Sequence, residues 1–410
     1  MKSTTMKQLT SSQSLVVPLA ATLLIAFAAT AADIPIPTWT RLSTSTGDLP
    51  PAHVGAQTST LILDIDRNGT NDIVIAGWGK PSMIWYRNKG KAWDRYVIDA
   101  GTEYIEAGGD FYDIDGDSDL DIVQGGDWRT LKEVWWWENP HPRFDPNTPW
   151  KRHFVKNSDE GGKSHHDQIF GDFDGDGKAE LAFWNQMAGK LLLAEIPENP
   201  GQAPTWPLTS IYSFAQPAHG KFEGLAKGDI DRDGKEDVAG AGRWFQHLAG
   251  KQFKAFEIDP EHYSSRSGVG DFVKGGWREV VLSPGDVIGP LNWYEWKDGR
   301  WLKHNLVEKV LHGHTLQVAD INADGNDDIF CAEMHTPGHG DECEMWIFYG
   351  DGKGGFTKTV VQKGVGSHES KVGDVNGDGW LDIIQKPFQH APGRIDVWLN
   401  SGVERKRSAK

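Results

Sequence analysis

The chain has 410 residues, with 42 basic and 58 acidic side chains for a formal net charge of −16. Its field repels phosphate, which argues against a nucleic-acid binder, and 19 Trp, 17 Phe and 8 Tyr are more bulky anchors than a disordered chain carries. Forty-eight Gly and 21 Pro imply many turns, so the composition is that of a β-rich globular protein.

At the start, Lys2 and Lys7 precede an apolar run from Leu15 to Ala29, and Ala29-Thr30-Ala31-Ala32 leads into Asp33. This is the order of a secretory signal, and the run is shorter than the ~20 residues a membrane span requires. The sequence predicts a signal peptide over residues 1–32 and a secreted or periplasmic mature chain without a span. Its removal deletes two lysines and no acids, which takes the charge from −16 to −18. Export permits a disulfide between Cys331 and Cys343, the only cysteines, with two buried thiols as the alternative.

Aligned acidic clusters expose a repeat. Its copies are Asp64, Asp66, Asn68 and Asp72; Asp113, Asp115, Asp117 and Asp121; Asp172, Asp174, Asp176 and Glu180; Asp229, Asp231, Asp233 and Asp237; a degraded copy from Asp271 to Glu279; Asp320, Asn322, Asp324 and Asp328; and Asp374, Asn376, Asp378 and Asp382. They start 49, 59, 57, 42, 49 and 54 residues apart, the period of a repeat architecture. Oxygen side chains at loop positions 1, 3, 5 and 9, with Gly at position 6 in most copies, suit a hard cation, so calcium is expected in up to six loops. The fifth, with Val273 and Gly275 in the ligand places, is expected to hold none. An EF-hand is excluded because β-branched runs such as Asp72-Ile-Val-Ile-Ala follow the loops where a helix should.

Each repeat reads as four strands: one entering the acidic loop, one leaving it, an aromatic third such as Val134-Trp-Trp-Trp137, and a fourth starting near Trp93, Trp150, Trp206, Phe253, Trp301 or Phe356. Four antiparallel strands per repeat of this length are propeller blades. No fourth strand follows Trp398, and Trp39-Thr-Arg-Leu resembles the fourth strands at Trp93 and Trp150. The first strand is therefore expected to complete the last blade and remove an open edge. The predicted fold is all-β: a seven-bladed propeller over residues 33–402, followed by a basic tail over 403–410 that contains Arg405-Lys406-Arg407.

These loops resemble the FG-GAP or VCBS repeats of integrin-like and bacterial secreted β-propellers, over residues 39 to 400. That resemblance implies a fold and not an activity. Trp136-Trp-Glu-Asn-Pro140 with Trp150, and His312-Gly-His-Thr-Leu-Gln-Val-Ala-Asp-Ile321, are similar to the propeller part of aldos-2-ulose dehydratase and related sugar-eliminating enzymes. The similarity implies elimination on a sugar and does not extend to the cupin domains of those enzymes.

Antiparallel pairing brings the start of each first strand and the end of each second strand to the face opposite the acidic loops. The starts carry Glu106, His165, His166, Glu223, His314 and His368; the ends carry Trp78, Asp127, Trp128, Trp184, Arg243, Trp244, Asp286, His335 and Lys386. Innermost strands line the central channel, so these side chains are expected to converge. Two imidazoles near a carboxylate can hold a second divalent metal or exchange protons near neutral pH. The catalytic candidates are His166, His314, His368, Arg243, Tyr104 and Glu223: a His or Tyr base takes a proton beside a carbonyl, while Arg243, Lys386 or a metal stabilises the enolate. The substrate-binding candidates are Glu106, Trp78, Trp128, Trp184, Trp244, His335 and Lys386, with indoles stacking on pyranose faces and Arg243 forking onto a sugar carboxylate. Glu106 paired with Glu223 would instead support hydrolysis. The expected function is a carbohydrate lyase or dehydratase acting on a sugar acid or ketosugar; the alternative is a noncatalytic glycan- or protein-binding propeller of lectin or adhesion type. Neither a Gly-x-Ser-x-Gly elbow nor a phosphate-binding glycine motif is present.

Overall fold

The computed structural model describes residues 34–101, 104–127, 131–158, 163–214, 222–334, 340–389 and 393–403. The expected signal peptide, residues 1–32, and Arg405-Lys406-Arg407 lie outside the described residues.

Seven four-stranded antiparallel sheets form the chain. Blade one comprises Gln57–Leu63, Asp72–Gly77, Met83–Asn88 and Trp93–Asp99, and blade two Asp110–Tyr112, Asp121–Gly125, Val134–Glu138 and Lys151–Lys156. Blades three to six repeat this order, with first strands Gln168–Gly171, Ala226–Gly228, Ser265–Gly270 and Thr315–Ala319. Blade seven takes Lys371–Gly373, Asp382–Gln385 and Asp396–Asn400 from the end of the chain and Trp39–Ser43 from its start, as the sequence predicts. Trp39 pairs with Asn400 and Ser43 with Asp396. The Ser43 hydroxyl also donates to Asp396, whose carboxylate is forked by Arg394 Nε at 3.1 and 3.0 Å. First strands of successive blades touch one another around a closed cycle, so they form the inner wall of the ring.

The ring is held by apolar clusters between neighbouring blades. Trp85 of blade one packs with Trp135, Trp137 and Trp150 of blade two, and Phe173 and Trp184 of blade three pack with Val238 and Phe245 of blade four. Similar clusters fill the other five junctions, including the one between blades seven and one, where Val375, Ile384 and Val397 meet Ile73, Ile75 and Tyr86. The Trp-rich third strands supply this packing, and removing one such indole costs about 3–5 kcal/mol. Among the described residues, no helix is long and apolar enough to cross a membrane.

Candidate functional site

The acidic loops shape themselves before any ligand is considered. In all six intact copies the first Asp accepts a hydrogen bond from the backbone N–H at position 6, for example Gly69 N to Asp64 at 2.9 Å and Gly325 N to Asp320 at 2.8 Å. That residue has φ near +88° in Gly69, Gly234, Gly325 and Gly379, which is why glycine recurs; Ser118 adopts φ 75° without it. Ligand oxygens lie within 4.8 Å of one another in Asp64, Asp66 and Asp72; in Asp113, Asp115 and Asp117; in Asp172, Asp174 and Glu180; and in Asp229, Asp231 and Asp237. Asp113 Oδ1 and Asp229 Oδ1 are buried and accept no hydrogen bond, so these donor sets fit a hard cation.

Position 9 does something else. Both oxygens of Asp72 accept backbone N–H groups, from Ile65 at 3.2 Å and Asn88 at 2.7 Å, and Asp121, Asp237, Asp328 and Asp382 repeat the pattern. The degraded loop keeps the loop half of this clasp through Glu279, one oxygen of which accepts from Phe272 N at 2.7 Å and Val273 N at 3.2 Å. The ninth residue therefore ties the first three strands of a blade together, beyond any part it has as a ligand. At the degraded loop, Arg232 of the blade-four loop bridges to Asp271 at 2.8 Å, and Lys274 reaches across to Gly325 O of the blade-six loop at 2.6 Å.

On the opposite face all seven blades contribute to one cavity of about 450 Å³. It is lined by Thr58, Trp78, Glu106, Asp127, His166, Gln186, Met187, Glu223, Asp286, His314, Met334, His368 and Phe388. Trp78 meets Phe388 edge to face at 5.3 Å. At the floor, one ligand atom each from His166, Glu223 and His314 lies within 4.8 Å of the others, and all three residues are buried. His314 Nε2 is 3.3 Å from Glu223 Oε2 and 3.7 Å from Asp286 Oδ1. Glu223 Oε2 is buried and faces the ring nitrogen of His314, and two imidazoles with a carboxylate make a donor set suited to a divalent cation.

A second row lies behind these residues. Asp167 accepts from His166 Nδ1 at 2.6 Å, from Gly224 N at 2.8 Å and from Arg266 at 2.5 Å. Arg266 also binds Glu369 at 2.7 Å, and Glu369 faces His314 Nδ1 at 3.6 Å. Asp167 and Glu369 both have φ 51°, a left-handed conformation that costs a non-glycine residue about 1 kcal/mol or more. This kink breaks the pleat, so His166 and Asp167 touch although adjacent strand residues normally face apart. Gly224 (φ 76°) holds the matching position in blade four, where a Cβ would meet Ser265 O at 2.1 Å.

The electrostatics follow from this packing. Burial opposes the charged form of His166, but Asp167, Glu223 and Glu106 overcome it and carry its pKa up to about 9. His314 likewise rises to about 10 against burial, through Glu223, Glu369 and Asp286. Burial pushes Glu106 up to about 7. Burial, together with the charges of His314 and Lys386, holds His368 well below the ordinary imidazole range. Asp167 is held far below the usual carboxylate range, because Arg266 and His166 outweigh its burial.

Several expected residues lie elsewhere. His165 points away from the cavity, its Nε2 3.1 Å from Lys132 O. Trp184 is buried between blades three and four, its Nε1 donating to Gly224 O, and Trp244 is buried against Phe256, Trp277 and Trp301. Blade four turns at once through Ala241 and Gly242, both at positive φ, so Arg243 and Trp244 begin its third strand. Arg243 pairs with Glu257 at 3.3 Å and lies over the Phe214 ring. Lys386 is fully buried and donates to Gln57 O and His368 O. Tyr104 is 39 % exposed and meets Trp78 ring to ring at 6.1 Å, outside the cavity lining. Trp128 and His335 lie outside the described residues.

The expected disulfide is absent. Cys331 and Cys343 are both buried and unbridged, Cys343 donating to Met334 O. The strand register explains this: Ala332 pairs with Met345 and Glu333 bonds Glu344, which places Cys343 opposite Met334, three residues from Cys331. Three strand residues span about 10 Å and end on the other face of the sheet, beyond disulfide reach.

A family model described as the FG-GAP-like repeat matches residues 64–124 and 320–384, which cover the acidic loops of blades one, two, six and seven. Among curated proteins none matches the chain. The chain is thus a seven-bladed β-propeller that carries FG-GAP-like repeats over the acidic loops of four of its blades.

Proposed function

We propose that the cavity opposite the acidic loops is the active site of a carbon–oxygen lyase acting on a ketosugar or sugar acid, and that the acidic loops hold calcium in up to six blades. The observation that carries this reading is the asymmetric floor of His166, Glu223 and His314 under a cavity walled on one side by Trp78 and Phe388. A lectin-like propeller repeats shallow aromatic sites from blade to blade, whereas here all seven blades share one cavity whose imidazoles, carboxylates and aromatic rings come from different sides. His166, Glu223 and His314 would hold a second divalent cation, and the chemistry such a cation supplies is polarisation of a carbonyl oxygen.

The chain's own residues divide the proton work. Neutral His368, whose buried Nδ1 has no hydrogen-bond partner, takes the proton from the carbon beside the carbonyl. Glu106, with its pKa near neutrality, gives a proton to the departing hydroxyl, which leaves as water while a carbon–carbon double bond forms. Arg243 and Lys386 have no part in this reading, because neither lines the cavity. The described lining contains four acids and neither Lys nor Arg, which favours a neutral ketosugar over a uronate.

The test is incubation with a panel of ketosugars and uronates while ultraviolet absorbance is followed. A rising band from a conjugated double bond supports the lyase, and a flat trace with every substrate, joined by measurable glycan binding, returns the face to a recognition role.

A further inference from the structure

We infer that Arg266 is a shared positioning residue that locks the two floor histidines in one ligand-presenting geometry. The inference rests on the cation-holding half of the proposed function and not on the elimination itself. His166 comes from blade three and His314 from blade six, and nothing in their own strands makes them act together. Each turns its Nδ1 edge toward a buried acid, Asp167 at 2.6 Å and Glu369 at 3.6 Å. Arg266 of blade five binds both acids, at 2.5 and 2.7 Å, with its side chain only 9 % exposed.

The hydrogen-bond logic is specific. Asp167, hydrogen-bonded at Nδ1 of His166, demands a proton there and leaves the lone pair on Nε2, which sets the tautomer and tilt of a metal-ligating imidazole; Glu369, 3.6 Å from Nδ1 of His314, favours the same tautomer through its charge. Two such carboxylates in one buried site repel each other and would swing apart. A guanidinium offers five donors in a rigid fork and can satisfy both; an ammonium supplies the charge without the geometry. Arg266 thus places His166 and His314 against Glu223 from behind, touching neither cation nor substrate.

Cobalt(II) is the probe, added to calcium-saturated full-length protein, with its visible d–d spectrum and its affinity read in competition with a chelator. The wild type is expected to bind cobalt at the histidine site, shown by loss of the spectrum in His314→Ala. Arg266→Met is expected to weaken that affinity 10- to 100-fold and to alter the band positions, with Arg266→Lys recovering part of the affinity and not the spectrum. Circular dichroism and thermal melting establish that each variant folds; if Arg266→Met does not, Arg266→Lys carries the same comparison. A folded Arg266 variant with wild-type affinity and spectrum would overturn the positioning role. A wild type that takes up no histidine-bound cobalt would overturn the cation site, and the positioning role with it. A silent sugar panel with intact cobalt binding would count against the lyase alone and leave Arg266 in place.

Discussion

His314 and His368 stack ring on ring between blades six and seven, with centroids 4.3 Å apart and 17° between their planes. Two imidazolium ions in that contact would repel strongly in a buried site, so charge on one keeps the other neutral. His368→Ala is expected to leave cobalt uptake intact and to lower turnover of the active ketosugar by 10²- to 10⁴-fold, the usual worth of a general base. Steady-state kinetics beside the cobalt titration separate the two roles, and parallel loss of both would make His368 part of the cation site.

Glu279 tests whether the ninth loop residue is a clasp. Glu279→Ala leaves the buried N–H of Phe272 and the half-buried N–H of Val273 without an acceptor and is expected to cost about 1–3 kcal/mol. Calcium stoichiometry by titration calorimetry should not change, whereas Asp229→Ala should lose one ion. A lower stoichiometry in the Glu279 variant would make it a ligand.

The same residue predicts a pH effect. Burial pushes Glu279 up to about 7 from 4.5. A folded-state value above the unfolded one gives stability that is complete below pH 4.5 and lost as pH rises through about 7. Glu279→Gln cannot ionise, so relative to the wild type it should gain stability between pH 5 and pH 8 in urea melts. Parallel pH profiles for the two proteins would contradict this.

Burial pushes the Cys331 and Cys343 thiols up to about 12 from 9. A thiol reagent at pH 8 is expected to leave both unlabelled in the native protein and to label both after unfolding without reductant. Mass spectrometry of the unreduced chain checks this, and a species two mass units lighter would reveal a bridge.

Lys386 fastens the seam beside the closing strand by donating to carbonyls of blades one and seven. Lys386→Met leaves both carbonyls buried without that donor and is expected to cost about 2–4 kcal/mol in urea melts. Deleting Trp39–Ser43 exposes the Asp396–Asn400 edge, and light scattering should show an increased mass as that edge pairs with other chains. An unchanged mass would mean that the edge is protected another way.

The blades were legible because acidic loops at regular spacing flank β-branched runs and because Trp39-Thr-Arg-Leu repeats the fourth-strand pattern. The cavity was half legible. His166, Glu223, His314 and His368 each stand six residues before the first Asp of their loop, and strand pairing carries that offset to the mouth. Trp184 and Lys386 stand 12 residues after it; the lining residues Trp78, Asp127, Gln186, Met334 and Phe388 stand 14 after. A register error of two residues thus moves a side chain from cavity to core. Asp167, Arg266 and Glu369 were missed although all stand five residues before their loops. An alternating strand would turn that position away from the channel, and the left-handed backbone of Asp167 and Glu369 is not encoded by any glycine. Arg266 was further obscured because its blade carries the degraded loop.

Ser43 and Asp396 are 353 residues apart in the chain, yet they share the last sheet. A ribosome must therefore deliver nearly the whole polypeptide before the ring can lock, and until then Trp39–Ser43 has no native partner. The opening strand is synthesised early and docked last, which makes the late-arriving C-terminal segment the kinetic gatekeeper of assembly and a mid-chain stall a route to an unsealed product.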